Sequence, residues 1–280
     1  MSVRLVAGDW VAEFLPDRGL LGLSVTHRGR ELLHQRGGLD TWKVGGHTMA
    51  LPLLAPWANR LSQWTYEFDG VEVDLRRSPV VKADEHGLPI HGTMIAQPGW
   101  EVVREEPARL TARFAYDREV LLAAFPFPHD LEVDVRLDGG LRVETAIAAR
   151  DRAVPVSFGW HPYFRADRSS DALGLPERRR IELDERGIPT GREDALPAEW
   201  GPLGDGVQDD HYALGPDRQF RLGELELRFE EGYPFAQVFA PAGSEFVAIE
   251  PMTARVDALV DGTAPRVEPG DRFAAVFSLS

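Results

Sequence analysis

The chain has 280 residues, 43% of them hydrophobic and 27% charged, enough to build a sizeable core in one large domain. Its 31 Lys and Arg against 45 Asp and Glu give a formal net charge of −14, which repels phosphate backbones and anionic lipid and disfavours nucleic-acid and membrane partners. With no cysteine, disulfide staples, thiolate catalysis and Cys-ligated zinc are excluded.

The first residues, Met1 to Asp9, lack the apolar run of a secretory leader, and no stretch is long and apolar enough to span a bilayer. A soluble cytoplasmic protein is the expectation. Along the chain the hydrophobic period is two. Tyr66 and Phe68 alternate with Thr65 and Glu67, Asp69-Gly70 turns the chain, and Val71, Val73 and Leu75 alternate with Glu72 and Asp74, which predicts a hairpin. Leu131, Val133, Val135 and Leu137 repeat the pattern, and beyond Gly139-Gly140 it returns through Leu141, Val143, Thr145 and Ile147. Residues 165 to 206 break the alternation and are rich in Arg, Asp, Pro and Gly; they read as a long excursion between strands of one domain. Alternation resumes at Leu225, Leu227 and Phe229 and again at Phe273, Ala275, Phe277 and Leu279. No window of helical length carries an apolar stripe. The pattern predicts an all-β fold of stacked antiparallel sheets, with residues 1–280 forming a single domain.

Five stretches concentrate polar and aromatic residues beyond what core packing requires. Trp57-Ala58-Asn59-Arg60 sets an amide and a planar cation beside a ring, which suits a polyhydroxylated ligand or, equally, a surface turn. Pro89-Ile90-His91-Gly92 follows His86, but two histidines without a third ligand at convincing spacing do not make a metal site. In Ser157-Phe158-Gly159-Trp160-His161-Pro162-Tyr163-Phe164, an imidazole among aromatic rings is either a proton carrier or a satisfied core histidine. Gln208-Asp209-Asp210-His211-Tyr212 offers carboxylates to sugar hydroxyls or forms an ordinary acidic turn. In Phe246-Val247-Ala248-Ile249-Glu250-Pro251, an apolar strand runs into one carboxylate. Burial there raises its pKa and makes it a base, unless it pairs with Arg255.

In this order, Asn59-Arg60, His91-Gly92, Phe125-Pro126-Phe127-Pro128, Gly159 with His161-Pro162-Tyr163-Phe164, Asp210-His211 and Ile249-Glu250-Pro251-Met252-Thr253 resemble landmarks of the aldose 1-epimerase (galactose mutarotase) family, over about residues 50 to 260. The resemblance implies a large antiparallel β-sandwich with a concave sugar-binding face and an isomerase that needs no cofactor. It makes Glu250 the general base and His161 the general acid, and it gives Arg60, His91 and Asp210 to substrate hydroxyls or the ring oxygen. Asn59 belongs with Arg60, and Trp57 and Trp160 offer ring platforms for a sugar, or core. The sequence departs from the family pattern at Thr93, Arg165 and Asp257, so galactose is not implied as the substrate.

Other readings are a hexose-6-phosphate 1-epimerase, which would need a basic pocket to which Arg60 and Arg165 contribute, and a sugar-binding protein without turnover. A glycosidase using Asp210 and Glu250 leaves His161 without a task. The expected partner is a small sugar, and the expected assembly is a monomer or homodimer.

Overall fold

In the computed structural model, which describes residues 1–44 and 46–280, the alternating segments are strands and every strand ladder is antiparallel. A nine-stranded sheet runs in the order Glu101–Glu106, Arg109–Tyr116, His129–Leu137, Leu141–Ala149, Arg272–Leu279, Leu225–Glu231, Gln219–Leu222, Ala172–Leu175 and Glu199–Pro202. An eight-stranded sheet runs Pro189–Leu196, Arg178–Leu183, Gln208–Leu214, Phe235–Ala240, Phe246–Met252, Gly159–Trp160 and Leu53–Leu54, with Tyr163–Arg165 also paired to Phe246–Met252. A four-stranded sheet of the first residues, ending at Glu31, is tied to this second sheet where Gly22 bridges Leu51.

The two large sheets pack face to face. Trp160 of the second donates from Nε1 to Thr145 Oγ1 of the first at 2.9 Å and meets Phe277 edge-on, while Val238, Val247 and Ile249 enter the same core as Val143 and Phe277. The architecture is a large antiparallel β-sandwich. The segment 165–206 is not irregular: it supplies two strands to each large sheet. Its pattern escaped detection because the strand Pro189–Leu196 has no buried residue and so no apolar face to read. Among the described residues no helix is long and apolar enough to cross a membrane.

Period two also fixes what each face carries. Phe158, Trp160 and Phe164 point into the sandwich, and His161 and Tyr163 point out of it. Trp57 and Trp160, expected as sugar platforms or core, are both core, with no exposed surface. Replacing Trp160→Phe removes the hydrogen bond to Thr145 and part of a fully buried ring. It should cost about 1–2 kcal/mol in urea denaturation. An unchanged midpoint would contradict the core assignment.

Candidate active site

The outer face of the eight-stranded sheet holds a cavity of about 400 Å³. Its floor follows from register. Gln237 pairs with Glu250 and His211 with Gln237, while Asp209 pairs with Phe239, Phe239 with Ala248 and Ala248 with Tyr163. On its other side Phe246–Met252 pairs Met252 with Gly159 and Ala248 with Tyr163, so His161 falls opposite Glu250. The ladder to Phe246–Met252 is interrupted there because Pro162 has no N–H, while on the other side His161 N continues the pairing with the Leu53–Leu54 segment by donating to Pro52 O at 3.1 Å. Two cross-strand rows result: His161, Glu250, Gln237 and His211, then Tyr163, Ala248, Phe239 and Asp209.

His161 Nε2 and Glu250 Oε1 are 3.1 Å apart, and both side chains are buried. The Tyr163 ring stacks on His161 at 4.2 Å between centroids, with its hydroxyl 3.1 Å from Nε2. Burial pushes the Glu250 carboxyl well above its usual value, helped by Asp209 and opposed by Arg60. Burial, with the nearby Arg36 guanidinium, pushes His161 down to about 3. Both shifts favour the uncharged forms, so the site disfavours charge on either partner. Arg255, the alternative partner for Glu250, pairs with Asp261 instead.

The walls come from the segments around residues 60 and 90. Asn59 and His91 both adopt left-handed backbone, φ +59° and +63°, and His91 N donates to Asn59 O at 3.0 Å. Such conformations are costly in residues other than glycine and cluster at functional sites. Gly92 is required, since a Cβ there would lie 2.2 Å from Ala55 O. Arg60 is fixed by Asp84, Nε to Oδ2 2.6 Å, and by Glu85 at 3.3 Å. Burial pushes Asp84 up, but hydrogen bonds from Leu88 N–H, Arg60 and His86 N–H outweigh it and hold the carboxyl below its ordinary value. Gln237 Nε2 donates to Asp209 Oδ1 at 2.7 Å. Among the described residues, four buried polar atoms of the cavity lining lack a hydrogen-bond partner: His161 Nδ1, His91 Nδ1, Gln237 Oε1 and Glu250 Oε2. Buried polar groups are ordinarily satisfied, so a cluster of unpartnered ones marks a ligand surface.

The structure thus brings Glu250, His161, Arg60, Asn59 and His91 to one cavity. It does not bring Asp210 there. Asp209 lines the cavity, and Asp210, one residue on, faces the other side of its strand toward Arg180. Trp57 and Trp160 do not line it; the aromatic side chains that do are Tyr163 and Phe239. His211 instead anchors the segment after Glu250, its Nε2 accepting from Val256 N at 3.2 Å. Asp257 ties that segment to Arg60: its N–H donates to Arg60 O at 3.1 Å and its Oδ1 accepts from Ser62 N at 2.7 Å. His86 is outside the cavity lining, beside Glu85. Sequence reasoning passed over Gln237, whose signal was a lone amide in the apolar strand Phe235–Ala240, and it passed over Arg36, Lys82 and His47. Among the described residues no group of three or more His, Cys, Asp or Glu could hold a metal ion.

The sequence profile of the aldose 1-epimerase family matches residues 20–278, and the chain belongs to that family. No curated relative matches it. Similar solved structures include the Slr1438 protein of Synechocystis sp. PCC 6803, at 23% identity and TM-score 0.81 over all of this chain and 95% of the other. A galactose mutarotase-like protein of Clostridium acetobutylicum gives 17% and 0.82 over 100% and 94%. The galactose 1-epimerase of Lactobacillus acidophilus gives 11% and 0.75 over 100% and 97%. At these identities the likeness establishes the fold.

The buried carboxyl carries a stability cost whose sign is definite. Unfolded, Glu250 titrates near 4.5, and folded it titrates well above that. Between the two the unfolded chain has released a proton that the folded chain keeps, so stability falls as pH rises through that window. Glu250→Gln removes this dependence. Thermal melts should show the variant about 1–2 kcal/mol more stable than the parent at pH near 7–8, with no advantage near pH 4. A difference independent of pH would contradict the burial assigned to Glu250.

Proposed function

We propose that the protein is an aldose 1-epimerase that interconverts the α and β anomers of an aldose by opening and closing its ring. The observation that supports this most is the buried Glu250–His161 pair, 3.1 Å apart, beneath a cavity lined with unpartnered polar atoms. Anomer exchange moves only protons and changes no oxidation state, so one base and one acid suffice. A proton leaves the hydroxyl on C1, another reaches the ring oxygen, and the C1–O5 bond breaks. The aldehyde rotates, the ring closes on its other face, and the two transfers reverse.

A carboxyl and an imidazole within hydrogen-bond distance of each other are suited to this cycle in either direction. With the proton on His161, Glu250 is the base at the C1 hydroxyl and the imidazolium is the acid at the ring oxygen; after ring opening their roles have exchanged. Arg60 favours the charged carboxylate. His91, Gln237 and Asp209 offer acceptors and donors to the remaining hydroxyls, and Phe239 offers a ring face to the apolar side of the sugar. In this reading the chain acts as a single domain in the cytoplasm on a small sugar, without a cofactor.

Anomeric exchange followed by proton NMR on common aldoses should exceed the spontaneous rate. Glu250→Gln and His161→Asn should each lower kcat by about 10²–10⁴-fold, while sugar affinity changes far less. A wild-type rate in either variant would remove that residue from the chemistry. No acceleration of any aldose, neutral or charged, would overturn the reading.

A further inference from the structure

Two cations of the cavity take no part in the chemistry described above. Arg60, the cation the sequence offered for an anionic substrate, is spent on Asp84 and Glu85, and Arg165 lies outside the cavity with its Nε on Leu33 O. Arg36 and Lys82 also line the cavity, and among the described residues neither has a carboxylate within ion-pair distance. Arg36 is held firmly: Nη1 lies 3.2 Å from Thr48 O and 3.2 Å from the Tyr163 hydroxyl, and its guanidinium sits over the Tyr163 ring at 5.2 Å. Lys82 Nζ reaches Gly46 O at 3.3 Å. His47 lines the same end and is pulled below its ordinary pKa first by Lys82, then by burial and Arg36. Burial and Arg36 likewise lower Lys82, against the opposing pull of Glu85 and Asp84. In a chain of net charge −14, mutually repelling cations gathered in the one cavity that holds Glu250 and His161 are arranged for an anion.

Their position says where on the sugar the anion would be. His161 serves the ring oxygen in the reading above, and the ring oxygen is bonded to C5, which carries C6. The Tyr163 hydroxyl lies between His161 Nε2 and Arg36 Nη1, within hydrogen-bond distance of both. A C6 substituent on the Tyr163 side of the ring oxygen would come within reach of Arg36. We propose that Arg36, Lys82 and His47 bind a carboxylate or phosphate carried at C6, so that the substrate is an anionic aldose rather than a neutral one. This rests on the epimerase reading. It also gives Arg36 a second effect, because an anion beside it offsets the field that disfavours a proton on His161.

The test compares anomeric exchange of glucose and galactose with that of their uronic acids and 6-phosphates. At least one anionic class should exceed its neutral parent by about tenfold or more in kcat/KM, and the better class identifies the group as carboxylate or phosphate. Lys82→Gln and Arg36→Gln should each remove most of that ratio. Lys82→Arg should retain it, and added salt should erode it. Neutral sugars turned over as well as or better than both anionic classes would overturn the proposal and leave the epimerase reading standing, as would a ratio untouched by both substitutions. Binding gives a check without turnover: the anionic sugar should shift the His47 imidazole signals in the parent and not in Lys82→Gln. Absence of that shift in the parent contradicts the anion site even if no sugar is turned over.

Discussion

The site depends on one cross-strand pair, the Glu250 carboxyl against the His161 imidazole with both side chains buried. Taking a carboxyl and an imidazole out of water costs several kcal/mol for each charge that has to be maintained. The pair avoids most of that cost because burial favours the uncharged carboxyl and the uncharged imidazole. Burial raises the one and lowers the other, so proton position becomes sensitive to what lies beside them. A sugar that presents one hydroxyl and one ring oxygen to such a pair meets a donor and an acceptor ready to exchange.

The sheet brings this about with little local effort. Three adjacent strands supply His161, Glu250 and Gln237 in a single row, and strict alternation sends their neighbours into the sandwich core. Across the break at Pro162 the His161 N–H stays paired with Pro52 O on the other side, which keeps its side chain in the row. Outside the row, the positions are enforced by polar anchors: Asp84 saturates Arg60 and the turn that follows, and Asp257 joins the Glu250 segment to the Arg60 segment. Asp257 at φ +70° and Arg36 at φ +42° are further left-handed residues other than glycine around the site, beside Asn59 and His91. Strain of this kind persists where surrounding structure fixes it, here to hold walls around a floor.

Much of the fold was legible because half-buried antiparallel strands write period two into the sequence, and the pair at Leu131–Leu137 and Leu141–Ile147 does so for its whole length. Glu250 and His161 stood out for a related reason: each is a polar residue in an apolar strand context. Trp160 is core because the residue next to His161 faces the opposite side of the chain, whereas Trp57, two residues before Asn59 and outside any strand, follows no such parity. Parity also decides between the acidic neighbours: Asp209 rather than Asp210 lines the cavity, and a strand start uncertain by one residue exchanges the two in the sequence. Gln237 acquires meaning only from its partner across the ladder, which pattern along one strand does not reveal. Arg36, His47 and Lys82 lie outside regular alternation or in a two-residue strand, and only the folded chain brings them together.

The most direct test of the buried pair is the nitrogen-15 NMR of the His161 imidazole in the sugar-free protein as pH is varied. The account predicts a neutral ring near pH 7 that gains its second proton only toward about 3. It also predicts that His161 reports a change in hydrogen bonding when Glu250 is replaced by Gln. A His161 already charged at neutral pH in the free protein, with signals indifferent to that replacement, would contradict it.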